Sequence, residues 1–209
     1  MISSLPKISP LTFEEFAQWK PEGQQYELHN YVIVAMPQPS GQHEDITGFL
    51  VERITAEYLR LNLPYRIPKT VMVKPPEKES AYSPDVLLLN RANLTYEPLW
   101  ERAATVTQSA SIPLVIEVVS TSWRVDYLTK VRDYEEIGIR EYWIVDYLGL
   151  GGRRFIGNPK RPTLSIYELV DEEYQVRQFR GQAEIISPTF PDLTLTAEEI
   201  FQAGDRSSL

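Results

Sequence analysis

The stretch Pro113-Leu-Val-Ile-Glu-Val-Val-Ser-Thr-Ser-Trp-Arg-Val-Asp-Tyr-Leu-Thr-Lys130 decides how the chain folds. Its first half is apolar at both parities, which predicts a strand covered on both faces rather than one with a wet side. Glu117 sits in the middle of that run. A lone ionised carboxylate at such a place is costly unless it is paired or holds a cation. Ser120, Thr121 and Ser122 then offer N-cap chemistry, and a helical segment to about Ile137 follows. Lys130 falls on that helix, one turn after Asp126.

A second stretch completes the pattern. Ser83-Pro84-Asp85 leads into Val86-Leu87-Leu88-Leu89, another apolar run with an acid at its head. Two carboxylates on neighbouring strands and one lysine on the following helix can work as a unit. The acids hold a hard divalent cation through oxygen. The cation activates water and neutralises phosphodiester charge. The lysine orients water or offsets charge in the transition state. Plainer roles exist for each residue. Glu117 could pair with a buried arginine, Asp85 could merely open a strand, and Lys130 could be a surface partner of Asp126.

The chain has 209 residues, 43% of them hydrophobic, which suits one domain with one sizeable core. It has no cysteine, so disulfides, thiolate metal sites and a cysteine nucleophile are excluded. No signal peptide or apolar stretch of membrane-spanning length is visible, and a cytoplasmic protein is expected. The net charge of −8 argues against nucleic-acid binding by bulk electrostatics. A local basic patch is still possible. Arg153, Arg154, Lys160 and Arg161 form one in sequence, with no acid among residues 147–167. Its plain reading is a solvated loop.

Around these stretches, Thr12-Phe-Glu-Glu15 and Thr196-Ala-Glu-Glu199 are capping boxes that open short helices. Tyr26 to Ala35 predicts a hairpin turning near His29-Asn30, and His43 to about Arg60 a helix. Tyr65 to Val73 predicts one strand, and residues 90–112 an irregular segment with room for one helical turn. Gly138 is placed to end the central helix. Glu141 to Asp146 predicts a further buried strand. Residues 147–162 form a loop with four glycines and two prolines. Thr163 to Val170 and Tyr174 to Phe179 predict a second hairpin. Interleaved strands and helices give an α/β fold with a mixed sheet flanked by helices and hairpins towards both termini.

In order and spacing these pieces resemble the Uma2 family, restriction-endonuclease-like proteins of the PD-(D/E)XK nuclease superfamily. The resemblance rests on Tyr26-Glu27-Leu28, Met36-Pro37, His43, Ser83-Pro84-Asp85, Glu117-Val-Val-Ser120, Asp126, Lys130 with Tyr134, Gly138, Glu141 to Asp146 and Ile186-Ser-Pro188. It covers about residues 13–201. It implies a restriction-endonuclease-like core and a Mg²⁺- or Mn²⁺-dependent endonuclease with Asp85, Glu117 and Lys130 as catalytic set. Asp85, Glu117 and the Val118 backbone carbonyl are then the expected metal ligands, with Glu27, His43 and Asp126 ancillary. Nucleic acid, DNA first, is the expected partner. Cleavage of both strands by two symmetry-related sites predicts a homodimer. There are departures. The superfamily's usual lysine position, two after the glutamate, holds Val119, which Lys130 replaces from the helix. The first hairpin carries His29-Asn30-Tyr31 where the family often has Asp-Gly-Glu. The alternative is an inactive nuclease-fold module that binds nucleic acid or a protein.

Overall fold

The computed structural model describes residues 10–21 and 23–205. Helix α1 (Phe13–Trp19) opens on the expected capping box, with the Thr12 hydroxyl and the Glu15 carboxylate each accepting a backbone N–H of the other. Strands β1 (Tyr26–His29) and β2 (Val32–Ala35) pair as an antiparallel hairpin. The turn falls at Asn30-Tyr31, one residue later than expected, with both residues left-handed at φ 49° and 69°. Helix α2 (Gly41–Arg60) starts two residues before the expected His43, because Ser40 caps it through the His43 N–H.

The single strand expected over residues 65–73 is two, β3 (Tyr65–Arg66) and β4 (Met72–Val73). Pro68 lies between them, fixes φ and has no N–H to give a ladder. Next come β5 (Val86–Asn90), α3 (Trp100–Ala103), β6 (Thr105–Val106) and β7 (Leu114–Val118). The helix after β7 opens with a π-helical turn, Val125–Lys130, and continues as α4 (Val131–Ile137). Gly138 ends it at φ 82°. The expected serine cap is not made, since the Ser120 and Ser122 hydroxyls bond each other. Then follow β8 (Glu141–Asp146), α5 (Arg153–Ile156), the hairpin β9 (Thr163–Val170) and β10 (Glu173–Phe179), and α6 (Ala197–Gln202) behind its capping box.

Six strands form the main sheet in the order β10-β9-β8-β7-β5-β3. β7 and β8 run parallel and the other pairs antiparallel, so the sheet is mixed. β4 and β6 make a separate parallel pair. The two apolar parities of β7 have different neighbours. Leu114, Ile116 and Val118 pack against Ile46, Leu50 and Ile54 of α2. Val115 and Val119 pack with Tyr134 and Ile137 of α4. Each such side chain stabilises by roughly 1.5–3 kcal/mol relative to exposure. Glu117 therefore points under the π-helical turn and α4. The first hairpin docks beside it through the bridge Leu28–Ala81, in which each residue's N–H meets the other's carbonyl. No described helix is long and apolar enough to cross a membrane.

Candidate active site

Register brings the two strand acids together. β5 pairs with β7 at Val86–Ile116, so the next step outward sets Asp85 beside Glu117. The Val118 N–H donates to Asp85 Oδ2 at 2.7 Å, which orients that carboxylate at the strand end. From the other layer, His43 Nε2 donates to the Val118 carbonyl at 3.0 Å and lies 3.4 Å from Asp85 Oδ2. Burial would lower the His43 pKa, but Asp85, the Val118 carbonyl and Glu44 outweigh it and hold it raised.

Lys130 reaches the strand acid from the helix. Its Nζ donates to Glu117 Oε1 at 2.9 Å and lies 3.2 Å from Glu27 Oε1 and 3.7 Å from Asp126 Oδ1. The Tyr134 hydroxyl donates to the same Glu117 oxygen at 3.1 Å. Lys130, Glu117, Glu27 and Asp126 are all buried. Burial disfavours the Lys130 charge, yet Glu117, Glu27 and Asp126 push its pKa well above the ordinary value. Lys130 is thus a buried ion-pair centre, not the exposed partner of Asp126 that a helix-surface reading allows.

The three acids around Lys130 do not behave alike. Burial would raise Glu27, but Lys130 and His29 outweigh it and hold it at about 2. Glu27 also accepts the Ser83 N–H, and its other oxygen lies 2.6 Å from His29 Nε2. For Glu117 burial wins despite Lys130, with Asp85, Asp126 and Glu27 adding repulsion, and its pKa rises well above the ordinary value. Burial likewise lifts Asp126 to about 7 against Lys130. One ammonium thus faces more carboxylate charge than it can offset, the situation in which a further cation is accommodated.

The structure brings Glu27, Glu117, Asp126 and Lys130 into one cluster, with Asp85, His43 and the Val118 carbonyl adjoining it. Among the described residues, no three His, Cys, Asp or Glu side chains converge as a ready metal cluster. The donor set that fits a hard cation is smaller: Asp85, Glu117 and the Val118 carbonyl, all oxygen, with water for the rest of the shell. Among the described residues, both hydrogen bonds to the Glu117 side chain fall on Oε1, leaving Oε2 for such a partner. The Val118 carbonyl accepts from His43 and keeps a second lone pair.

Asp85 is the open side of the cluster, its side chain 26% exposed. A cleft of about 40 Å³ opens there, lined by Lys20, Gln25, Lys69, Thr70 and Ser83 among others. Burial lowers the Lys20 pKa, Glu27 opposing, and its ammonium meets Met72 Sδ at 3.6 Å. Sequence reading missed Lys20, Lys69 and the Tyr134 hydroxyl. Only the Tyr134 spacing, one turn after Lys130, could have signalled the last.

Comparison with known proteins follows the same lines. No curated protein matches the chain. Among solved structures, a protein of Anabaena variabilis ATCC 29413, titled as a "putative nuclease belonging to DUF820", is similar at a TM-score of 0.71 and 17% identity. The match covers 93% of this chain and 99% of that one, and it shows a shared fold. The family model of Uma2, described as "Putative restriction endonuclease", matches residues 13–198. With the model spanning all but the ends of the sequence, the chain belongs to the Uma2 family.

Proposed function

We propose that the protein is a metal-dependent endonuclease that hydrolyses phosphodiester bonds in DNA. The observation that carries this reading is the Lys130–Glu117 contact at 2.9 Å, beside Asp85 at the head of the adjoining strand. The position two after Glu117 holds Val119, which can neither orient water nor offset charge. The helix supplies an ammonium at Glu117 instead.

Asp85, Glu117 and the Val118 carbonyl would hold Mg²⁺ or Mn²⁺, which supplies an activated water and charge neutralisation when bound. The chain's own residues do the rest. Lys130 keeps Glu117 in place and offsets negative charge developing beside it. Glu27 and Tyr134 fix the lysine and the glutamate in turn. His43 fixes the Val118 carbonyl, and Lys20 and Lys69 stand at the cleft where a phosphate would approach Asp85. A homodimer with two such sites would cut both strands of a duplex.

The test is incubation with plasmid, single-stranded DNA and RNA across a divalent-metal series, beside the Glu117→Ala protein. DNA cleavage by the wild type alone is expected. Absence of cleavage in every metal, or equal cleavage by Glu117→Ala, overturns the reading.

A further inference from the structure

The π-helical turn and the loop after β8 meet at one end of the sheet. β7 and β8 are parallel neighbours, with the Val119 N–H on the Val145 carbonyl at 2.9 Å, so the segments that follow them leave on the same side. Glu117 stands one residue before the end of β7, and Asp85 just before antiparallel β5, at that same end.

There, cations from two distant parts of the chain are held against aromatic rings. The Arg124 guanidinium lies 4.6 Å from the Trp123 ring centre, and Lys160 Nζ lies 5.9 Å from it. Arg154 lies 4.5 Å from the Phe155 ring, which itself packs 6.2 Å from Trp123 and stacks on Tyr127 at 4.9 Å. A cation over an aromatic face is attracted by the ring quadrupole and keeps its charge. The packing is close by construction, since a Cβ at Gly152 would stand 2.9 Å from Trp123 Cη2. Arg124, Arg154 and Lys160 are exposed. Among the described residues none of the three makes a salt bridge, and the buried Asp146 carboxylate acts on Lys160 only at longer range. Lys160 does donate to the Leu150 carbonyl at 2.9 Å, which steadies it.

We propose that Arg124, Arg154 and Lys160, mounted on Trp123 and Phe155, form a ridge that holds the phosphate backbone of the nucleic acid beside the acid cluster. The ridge deepens the nuclease reading and rests on it. Charge complementarity argues for this occupant. The chain carries −8 overall, yet residues 147–167 contain no acid and supply two of the three cations. An acidic molecule that binds a polyanion needs such a local concentration of fixed cations. The cations also sit across β7 from the cleft at Asp85, since β8 and β5 flank β7 on opposite sides. A strand held at both places would cross the end of β7.

The test uses the full chain with EDTA present, so that binding is read without cleavage. Anisotropy of a fluorescein-labelled duplex and a labelled single strand is followed between about 50 and about 200 mM salt. The Arg124→Ala/Arg154→Ala/Lys160→Ala variant is expected to bind at least about tenfold more weakly, with a salt slope shallower by about 2–3. Single Arg154→Glu, the smaller perturbation, should weaken binding in the same direction, and thermal melting checks that both variants are folded. Unchanged affinity and slope in both variants overturns the ridge, as does a wild type that binds neither probe. Equal competition by polyglutamate overturns it too, since the surface would then be a site for acidic polypeptide. Cleavage is scored separately in Mn²⁺: a wild type that binds through the ridge and never cleaves removes the nuclease reading and leaves the ridge standing.

Discussion

The Lys130 ammonium lies 3.2 Å from Glu27 Oε1, tying the helix after β7 to the first hairpin. Glu27 also takes the Ser83 N–H, so one carboxylate joins three segments. Glu27→Ala should lower unfolding stability by about 3–5 kcal/mol, the usual cost of removing one partner from a buried ion pair. Glu27→Gln, which can still accept the Ser83 N–H, should cost less. Urea denaturation measures both. Equal midpoints for wild type and Glu27→Ala would show that the contact contributes nothing.

Lys130→Met keeps most of the side-chain stem and deletes the charge. Cleavage should fall by roughly two orders of magnitude or more, as for loss of one transition-state donor. The variant should also be less stable, because Glu117, Glu27 and Asp126 lose their common cation. That loss should shrink as pH falls and the acids become neutral. Wild-type rates from Lys130→Met, beside a dead Glu117→Ala, would remove the lysine from the site.

Metal binding has its own check. Asp85→Asn retains an oxygen for the Val118 N–H and loses the charge that a cation needs, so the fold should survive while Mn²⁺ affinity disappears by calorimetry. In the wild type, burial raises Glu117 well above its ordinary value, so a bound cation should displace protons. Binding enthalpy should therefore vary with the ionisation enthalpy of the buffer, and affinity should increase with pH. The same enthalpy in every buffer would contradict this.

Burial raises Asp126 from 3.8 to about 7. The folded protein thus holds this proton more tightly than the unfolded chain does. The stability that the proton contributes is complete below the unfolded value and is lost as pH rises through about 7. Asp126→Asn should remove that part of the slope. Its stability relative to wild type should increase between about pH 4 and about pH 7. Parallel stability curves for the two proteins would place the titration elsewhere.

Much of this was legible in the sequence. The double-parity apolar run of β7, the run of β8 and the two capping boxes each carry their structure locally. Asp85 and Glu117 stood out as acids at the head of the β5 run and in the β7 run, and Lys130 by its place on the following helix one turn after Asp126. What escaped depended on long-range docking. Glu27 was expected as an ancillary residue from the resemblance alone, since its four-residue strand does not show that the Leu28–Ala81 bridge carries it to Lys130. The strand expected over residues 65–73 is divided at Pro68, where the chain bends so that β4 pairs with β6. The basic loop reads as solvated because nothing in its own sequence shows that Arg124 shares its aromatic support.

The π-helical turn has a consequence for how this chain tolerates length changes. A wide turn amounts to one residue accommodated inside a helix, and each residue of an α-helix subtends about 100° of arc. Trp123 and Arg124 lie upstream of it, Lys130 closes it and Tyr134 follows. Deleting a single residue such as exposed Leu128 would let the helix rewind to ordinary pitch without breaking it. Because the wide turn takes up that residue, the two flanks would keep nearly their phase, with Trp123 and Arg124 still outward and Lys130 still at Glu117. The turn is thus the place in this helix where length can change by one residue without parting the outward-facing grip from the inward-facing charge.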